Sequence, residues 1–314
     1  MSTTTPRPAP PASHPARPRP PVGPWTSRLL LLNVVVECLI VVTGGVVRLT
    51  GSGLGCPTWP QCVPGSYTPV LEQAEGFHKY IEFGNRTLTG LVGLVALAAV
   101  IAVVRERRPD LLRWALPVLA GIAVQAVIGG ITVLTGLHPA TVMLHFLVSA
   151  VLIAVSTALW MRAQEPSGPR ERAVPRPVRG LVLAAALVSA AVITVGTAVT
   201  GAGPHAGDAD QPVRLAVDPR TLSWLHADLV MVFVGLVVGC VVALRLVPEA
   251  TVARRRAAEL LVVTLAQGAI GYAQYFTGLP EVLVGLHMAG ACVLVVAMAR
   301  LVLALTRPTL PRPA

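Results

Sequence analysis

Predominantly apolar segments alternate with short polar segments along almost the whole chain. Eight apolar runs can be distinguished, each near the length of about 20 residues that crosses a bilayer as a helix. They lie at 28–49, 80–104, 114–135, 140–162, 180–200, 221–247, 259–278 and 282–305. Apolarity is continuous within each run and does not alternate, which favours helices over the strands of a closed barrel. The pattern predicts an all-α integral membrane protein with eight transmembrane helices.

One stretch of the pattern occurs twice. Residues 125–145 read Gln-Ala-Val-Ile-Gly, then Thr-Gly-Leu and Leu-His, and residues 267–287 repeat these letters at the same intervals 142 positions later. A Thr-Gly-x-Gly sequence also closes both the first run (50–53) and the fifth (200–203). Matches of this length indicate an internal duplication. We therefore predict two pseudo-symmetric four-helix bundles.

The duplication and the local composition suggest boundaries for five segments. A Pro-, Ala- and Arg-rich tail at 1–27 is too poor in apolar residues to fold. The first four-helix half is expected at 28–162, a linker at 163–179, the second half at 180–305 and a short tail at 306–314.

The charge of the chain is strongly positive, at +10, although only 13% of the residues are charged. If both termini lie on one side, nearly all the arginines share that side, whereas Glu72, Glu75, Asp208, Asp210 and Asp218 lie on the other. This asymmetry is the positive-inside signature and predicts cytoplasmic termini. It excludes a nucleic-acid-binding interpretation of the charge and leaves contact with anionic lipid as a secondary use. The Arg-rich, Lys-poor composition suggests a bacterial plasma membrane.

Each even-numbered run carries polar residues near its outer end. They are Glu82, Asn85 and Arg86 in the second run, His145 in the fourth, His226 in the sixth and His287 in the eighth. Any one of these histidines, taken alone, is explained as a structural residue that is hydrogen bonded in the core. Ionisable groups in a span are costly, however, and several at one depth indicate a site facing the bundle interior.

Imidazoles that face each other across an apolar slot suit haem better than a bare ion, which needs a fuller set of ligands. His226 and His287 supply such a pair in the second half. The first half has Asn85 and His145 at the corresponding positions. The sequence thus predicts one saturated haem site and one open site.

The first outer loop contains Cys56 and Cys62, separated by two prolines. On an oxidising side of the membrane a disulfide is plausible, either as a structural staple or as a redox-active pair. The small residues before this loop either let helices pack closely or let Arg48 approach a ligand carboxylate.

At these residues the sequence resembles the haem A synthase family. The resemblance is carried by residues 45–62, Glu82-Phe-Gly-Asn-Arg86, Thr132–Gly136 with His145, residues 200–208, His226 and the block from Gln267 to His287. It covers nearly everything from 28 to 305. It implies an eight-helix bundle that binds haem b in the second half and oxidises a ring methyl of haem O to a formyl in the first half.

The resemblance also assigns roles to residues. His226 and His287 match the axial ligands of haem b, His145 matches a substrate-side ligand, and Glu82 matches an acidic residue tied to activity. Cys56 and Cys62 match a loop cysteine pair of one branch. Asn85 departs from the family, because many members have histidine there, and His78, two helical turns earlier, is a possible replacement. Arg48 or Arg86 is expected to hold the haem propionates.

The implied partners are haem O as substrate, a haem O synthase, an electron acceptor and membrane lipid, with a homo-oligomer possible. Three other interpretations stay open at this stage. They are a non-catalytic haem carrier for oxidase assembly, a dihaem cytochrome b, and a transporter built on parallel repeats.

Overall fold

The computed structural model describes residues 18–208 and 212–309. Most of the predicted N-terminal tail, the end of the C-terminal tail and Asp210 lie outside this part of the chain. The described residues form eight helices: α1 (Pro24–Leu49), α2 (His78–Arg105), α3 (Pro109–Leu134), α4 (Pro139–Ala163), α5 (Arg176–Ala202), α6 (Pro219–Arg245), α7 (Thr251–Phe276) and α8 (Glu281–Leu303). The all-α prediction is confirmed.

The repeated Thr-Gly-Leu sequences are tight breaks between helices. Gly136 and Gly278 have φ values of 61° and 80°, and the leucines that follow them, Leu137 and Leu279, also have positive φ. Glycine enters this left-handed region without the steric cost that a Cβ imposes. A proline then stands at the first or second position of α4, where its fixed φ suits a helix start. The duplication therefore extends to backbone conformation.

The helices form two rings of four. In the first ring α1 packs on α2 and α4, and α3 packs on α2 and α4; α5 to α8 repeat this arrangement. The rings meet where α4 and α1 pack on α8 and where α4 packs on α5. This is the predicted pair of four-helix bundles.

Seven of the eight helices described here are long and apolar enough to cross a membrane. The exception, α7, has a comparable length of 26 residues but carries three consecutive arginines in its first two turns and two glutamines further along. It packs between α6 and α8 like its counterpart α3 between α2 and α4. The chain is a multi-pass membrane protein.

The end of the bundle that carries the arginines differs in detail from the prediction. Helix α1 begins at Pro24, ahead of the expected start at 28, and the preceding Val22 donates its N–H to the carbonyl of Ala163. Strand β1 (Arg170–Arg172) in the linker pairs antiparallel with strand β2 (Thr306–Pro308). The linker and the C-terminal segment thus contain a short sheet, which the continuous-apolarity criterion does not detect.

A small polar cluster lies inside the first ring. Glu37 Oε1 accepts hydrogen bonds from Asn33 Nδ2 at 3.0 Å and from Ser156 Oγ at 2.7 Å. All three residues are at least 96% buried, and they join α1 to α4. The cluster satisfies these donors internally, whereas Asn33 Oδ1 and Glu37 Oε2 are buried without a partner.

Candidate haem-binding site

His226 and His287 face each other across the second ring. Their ring centroids are 6.5 Å apart and the ring planes cross at 77°. Asp218 caps α6 by accepting the N–H groups of Arg220 and Thr221, and the hydrogen bond from the Thr221 hydroxyl holds the pKa of this carboxyl below its ordinary value. The cap fixes the start of α6, and His226 lies two helical turns after that start.

A glycine on a neighbouring helix lies against each of these rings. A Cβ built on Gly196 of α5 would stand 3.0 Å from His226 Cε1, and one on Gly271 of α7 would stand 3.3 Å from His287 Cε1. A Cβ at either position would require the imidazole to move by a few tenths of an ångström. The backbone therefore forms a cradle for both rings.

The first ring repeats this cradle. A Cβ on Gly129 would lie 3.4 Å from His145 Cε1, and one on Gly44 would lie 3.8 Å from Asn85 Nδ2. Every even-numbered helix thus presents its predicted site residue to a glycine of the helix before it. Asn85 occupies in the first ring the place that His226 occupies in the second. Its Oδ1 accepts a hydrogen bond of 2.8 Å from the Thr43 hydroxyl.

Two glutamines, which the sequence analysis places in the repeat without assigning them a role, contact the histidines. Gln125 donates from Nε2 to the His145 carbonyl at 2.8 Å, and its Oε1 lies 3.1 Å from His145 Nδ1. Gln267 donates to the His287 carbonyl at 2.9 Å. Their 142-residue spacing, equal to that of the histidines, is the sequence signal that could have identified them.

Glu82 and Arg86 form a buried ion pair under the first outer loop. The two contacts between Glu82 Oε1 and the guanidinium measure 2.6 and 3.0 Å. Glu82 Oε2 accepts the Cys56 N–H, while Arg86 donates to the carbonyls of Cys56, Thr58 and Gln61. The pair therefore binds the loop, and the donors of Arg86 are used there, not held free for a propionate as expected.

The cysteines of this loop are bonded to each other. The Cys56–Cys62 disulfide joins two residues that are six positions apart in the sequence, and their Cα atoms are 4.3 Å apart. Its predicted pairing is confirmed. The closed loop also places Trp59 against α3, where a Cβ on Gly130 would overlap the indole.

Arg48 connects the two halves. Its Nε donates to the His205 carbonyl at 2.6 Å and its Nη2 to the Thr200 carbonyl at 2.8 Å. Beside it, the Gly53 N–H donates to the Gly207 carbonyl, and Ser52 bridges to Asp208. The two related outer loops are thus hydrogen bonded to each other where the rings meet. These hydrogen bonds use Nε and Nη2 of Arg48 and do not involve Nη1.

His78 is the first residue of α2, which is the early helix start that its proposed role as a replacement ligand requires. Its Nδ1 is hydrogen bonded to the Ser52 hydroxyl at 2.8 Å, at the exposed end of the helix. The structure therefore ties this imidazole to the outer loop.

The donor set of the second ring fits haem. The ring centroids of His226 and His287 are 6.5 Å apart, which leaves room for an ion that each imidazole binds through one nitrogen at about 2 Å. Within the described ranges no group of three or more His, Cys, Asp and Glu residues lies together. Two imidazoles suit an iron whose other ligands come from a porphyrin.

This chain is similar in sequence to known proteins. The family model for cytochrome oxidase assembly proteins, COX15-CtaA, matches residues 27–210, which include Glu82, Asn85 and His145. A heme A synthase from Geobacillus thermodenitrificans is 29% identical over 133 residues, covering 41% of this chain and 40% of the relative. One from Shouchella clausii is 30% identical over 178 residues, covering 55% and 58%.

The chain therefore spans about half the length of the curated relatives that it matches. His226 and His287 lie beyond the family match. His287 repeats His145 in the internal duplication, and His226 faces His287 across the second ring. The family match itself covers more than half of the 314 residues. The chain belongs to the COX15-CtaA family of cytochrome oxidase assembly proteins.

Proposed function

We propose that this protein is a haem A synthase, an oxidoreductase that acts on a CH group and converts a ring methyl of haem O to a formyl through successive hydroxylations. The observation that carries the proposal is the unequal pair of sites. One ring of helices presents two imidazoles to each other, and the sister ring presents one imidazole and one amide at the same places. A resident cofactor and an exchangeable substrate need this difference.

The second half, residues 180–305, is the proposed haem b domain. His226 and His287 would hold the haem iron, and Gly196 and Gly271 let the imidazoles lie close to the helix backbones. Bound there, haem b supplies a one-electron redox centre.

The first half, residues 28–162, is the proposed substrate domain. His145 binds the substrate iron from one side, with its ring orientation set by Gln125. Asn85 faces the other side and, as an amide, is a poor iron ligand, so this side stays open for chemistry. His78 would have to leave Ser52 to serve as a second ligand.

Glu82 is the proposed proton-handling group. It stands three residues before Asn85 on α2 and therefore on the same helical face. Its Oε1 accepts both hydrogen bonds from Arg86, and its Oε2 accepts the Cys56 N–H. Because a carboxylate oxygen accepts two hydrogen bonds, Oε2 keeps one acceptor site that could bind water. Arg48 Nη1 is the proposed propionate contact.

The membrane orientation follows from charge. The end of the bundle with Arg105, Arg162, Arg176 and Arg245 is assigned to the cytoplasm, together with both termini, by the positive-inside rule. The haem sites then lie near the extracytoplasmic side of a bacterial plasma membrane. A haem O synthase and an electron acceptor are the expected partners.

Co-expression with a haem O synthase tests the function. Haems extracted from purified protein and from membranes are separated and weighed by mass spectrometry. Haem A or its hydroxylated precursor, present with the wild-type chain and absent with the His145→Ala variant, is the expected result. Unchanged haem O in both samples contradicts the proposal.

A haem carrier for oxidase assembly is the second candidate. The observation that favours it is that Glu82 binds the loop, directly through Cys56 and also through Arg86, which is a structural role that requires no catalysis. Bound but unmodified haem O in the same extraction identifies a carrier.

A further inference from the structure

Gln125 contacts the two hydrogen-bonding groups of His145 that do not face the expected iron. It crosses from α3 to α4 and binds the main-chain carbonyl through Nε2 and the ring Nδ1 through Oε1, at 2.8 and 3.1 Å. Nδ1 then donates its hydrogen to Oε1, because an amide oxygen can only accept. The other ring nitrogen, Nε2, is left as the metal-binding atom.

Gln267 makes only the first of these two contacts with His287. Its Nε2 donates to the His287 carbonyl at 2.9 Å. Its Oε1 is buried without a partner, and so is His287 Nδ1. Neither Gln267 Oε1 nor the His287 Nδ1 makes a hydrogen bond of standard geometry, although the main chain of Gln267 lies close to the ring. A buried polar atom without a hydrogen bond is costly in an apolar interior.

The chain makes room for this carboxamide. A Cβ built on Gly290 of α8 would lie 2.3 Å from Gln267 Oε1. Glycine at this position, one turn beyond His287, lets the amide oxygen lie against α8. The position of the Gln267 carboxamide is therefore set by α7, which carries it, and by α8, against which it packs.

We propose that Gln267 is a positioning residue for the haem b ligand His287, accepting the Nδ1 hydrogen bond when Nε2 binds iron, as Gln125 does for His145. This rests on the proposed haem b role of His287. The completed bond satisfies both orphaned atoms and fixes ring tautomer and orientation. It also raises the basicity of the ligand and so stabilises ferric iron, as partners of metal-bound histidines do.

The competing acceptor is the main chain of Gln267, which also interacts with His287. The two possibilities differ in what a side-chain substitution does. Loss of the carboxamide leaves the main-chain carbonyl in place, so an effect of Gln267→Leu on the haem assigns the contact to the side chain.

Redox titration of the purified haem-loaded protein is the test, with the low-spin electron paramagnetic resonance signal recorded on the same samples. Gln267→Leu is expected to raise the midpoint potential of the haem, because the ligand loses its acceptor. Gln267→Glu is expected to lower it, because a carboxylate is the stronger acceptor. Gly290→Ala, which displaces the carboxamide without altering it, is expected to act like Gln267→Leu.

Midpoint potentials that shift in opposite directions in the two Gln267 variants indicate a positioning role, because general damage to the haem site would shift both potentials in the same direction. Thr264→Val is the matched control, since this buried α7 hydroxyl bonds only to Leu260 of its own helix, and its potential is expected to equal the wild-type value. Potentials of Gln267→Leu and Gln267→Glu that both equal the wild-type value overturn the proposal, and so do shifts of the same sign. If Gln267→Leu does not fold, a midpoint potential of Gln267→Glu below the wild-type value supports the proposal, and an equal or higher potential overturns it. Wild-type protein without haem refutes the proposed function instead.

Discussion

Glu82 and Arg86, one turn apart on α2, are bonded to each other and to four main-chain groups of the disulfide loop. The acidic residue of the candidate site is thereby also the anchor of the outer loop. Loop and site are mechanically connected, so a change in one is transmitted to the other.

Replacing Arg86 by leucine removes one partner of this largely buried pair. Loss of one partner of a buried ion pair costs about 3–5 kcal/mol, because the other charge stays uncompensated. We expect lower thermal stability in detergent and faster proteolysis between residues 56 and 62. The control is Arg255→Leu, in the exposed pair with Glu259 at the same helical spacing, which should change neither measurement. An unaltered loop in Arg86→Leu contradicts the anchoring role.

The glycine cradles predict a second set of effects. Gly196→Ala brings a Cβ to 3.0 Å from His226 Cε1, so the ring must shift and haem content should fall. Gly271→Ala, at 3.3 Å from His287, should have a smaller effect in the same direction. Gly235→Ala and Gly268→Ala, with open space around the new Cβ, serve as controls. Haem-to-protein ratios from absorbance compare the four variants, and equal ratios throughout would refute the cradle.

The disulfide contributes to stability separately from the ion pair. Its bonds to Glu82 and Arg86 use main-chain atoms of Cys56, which a Cys56→Ser/Cys62→Ser protein retains. We expect this double variant to lose about 2 kcal/mol of stability, the chain-entropy value for so short a loop, and to keep its haem b. Thermal unfolding with and without reductant measures this. A reductant should affect the wild type only; loss of haem b on reduction would instead point to a role in the haem site.

The cluster of Glu37, Asn33 and Ser156 predicts a stability effect far from the outer loops. Glu37→Gln keeps an acceptor for the Asn33 amide and the Ser156 hydroxyl, and should fold normally. Glu37→Leu removes the acceptor of the Ser156 hydroxyl and one of the two acceptors of Asn33 Nδ2, which keeps Ser156 Oγ at 3.1 Å. We expect a cost of about 1–3 kcal/mol. Chemical unfolding in detergent distinguishes the two variants; equal stabilities would show that these hydrogen bonds contribute nothing.

Much of this organisation is readable in the sequence. Continuous apolar runs give the helices, and the repeated Gln, Thr-Gly-Leu and His positions give the two halves, because helix periodicity and tight breaks are local properties. The partners of Arg86 and Arg48 are not local. They are carbonyl groups of distant loops, and no residue type marks a carbonyl that is free to accept a hydrogen bond.

The same limit applies to the glycines and to Gln267. A glycine in an apolar helix is equally compatible with lipid contact and with an imidazole lying against it. Only the packing of α5 on α6 and of α7 on α8 shows that Gly196 and Gly271 face histidines. The sheet of β1 and β2 was missed because its strands are three residues long and polar.

The central claim is that His226 and His287 bind one haem iron from both faces. The most direct measurement is the low-temperature absorbance and electron paramagnetic resonance spectrum of purified wild type, His226→Ala and His287→Ala. We predict a low-spin bis-histidine signal in the wild type that is lost in both variants, while the signal associated with His145 persists. A low-spin signal that survives in either variant would contradict the assignment.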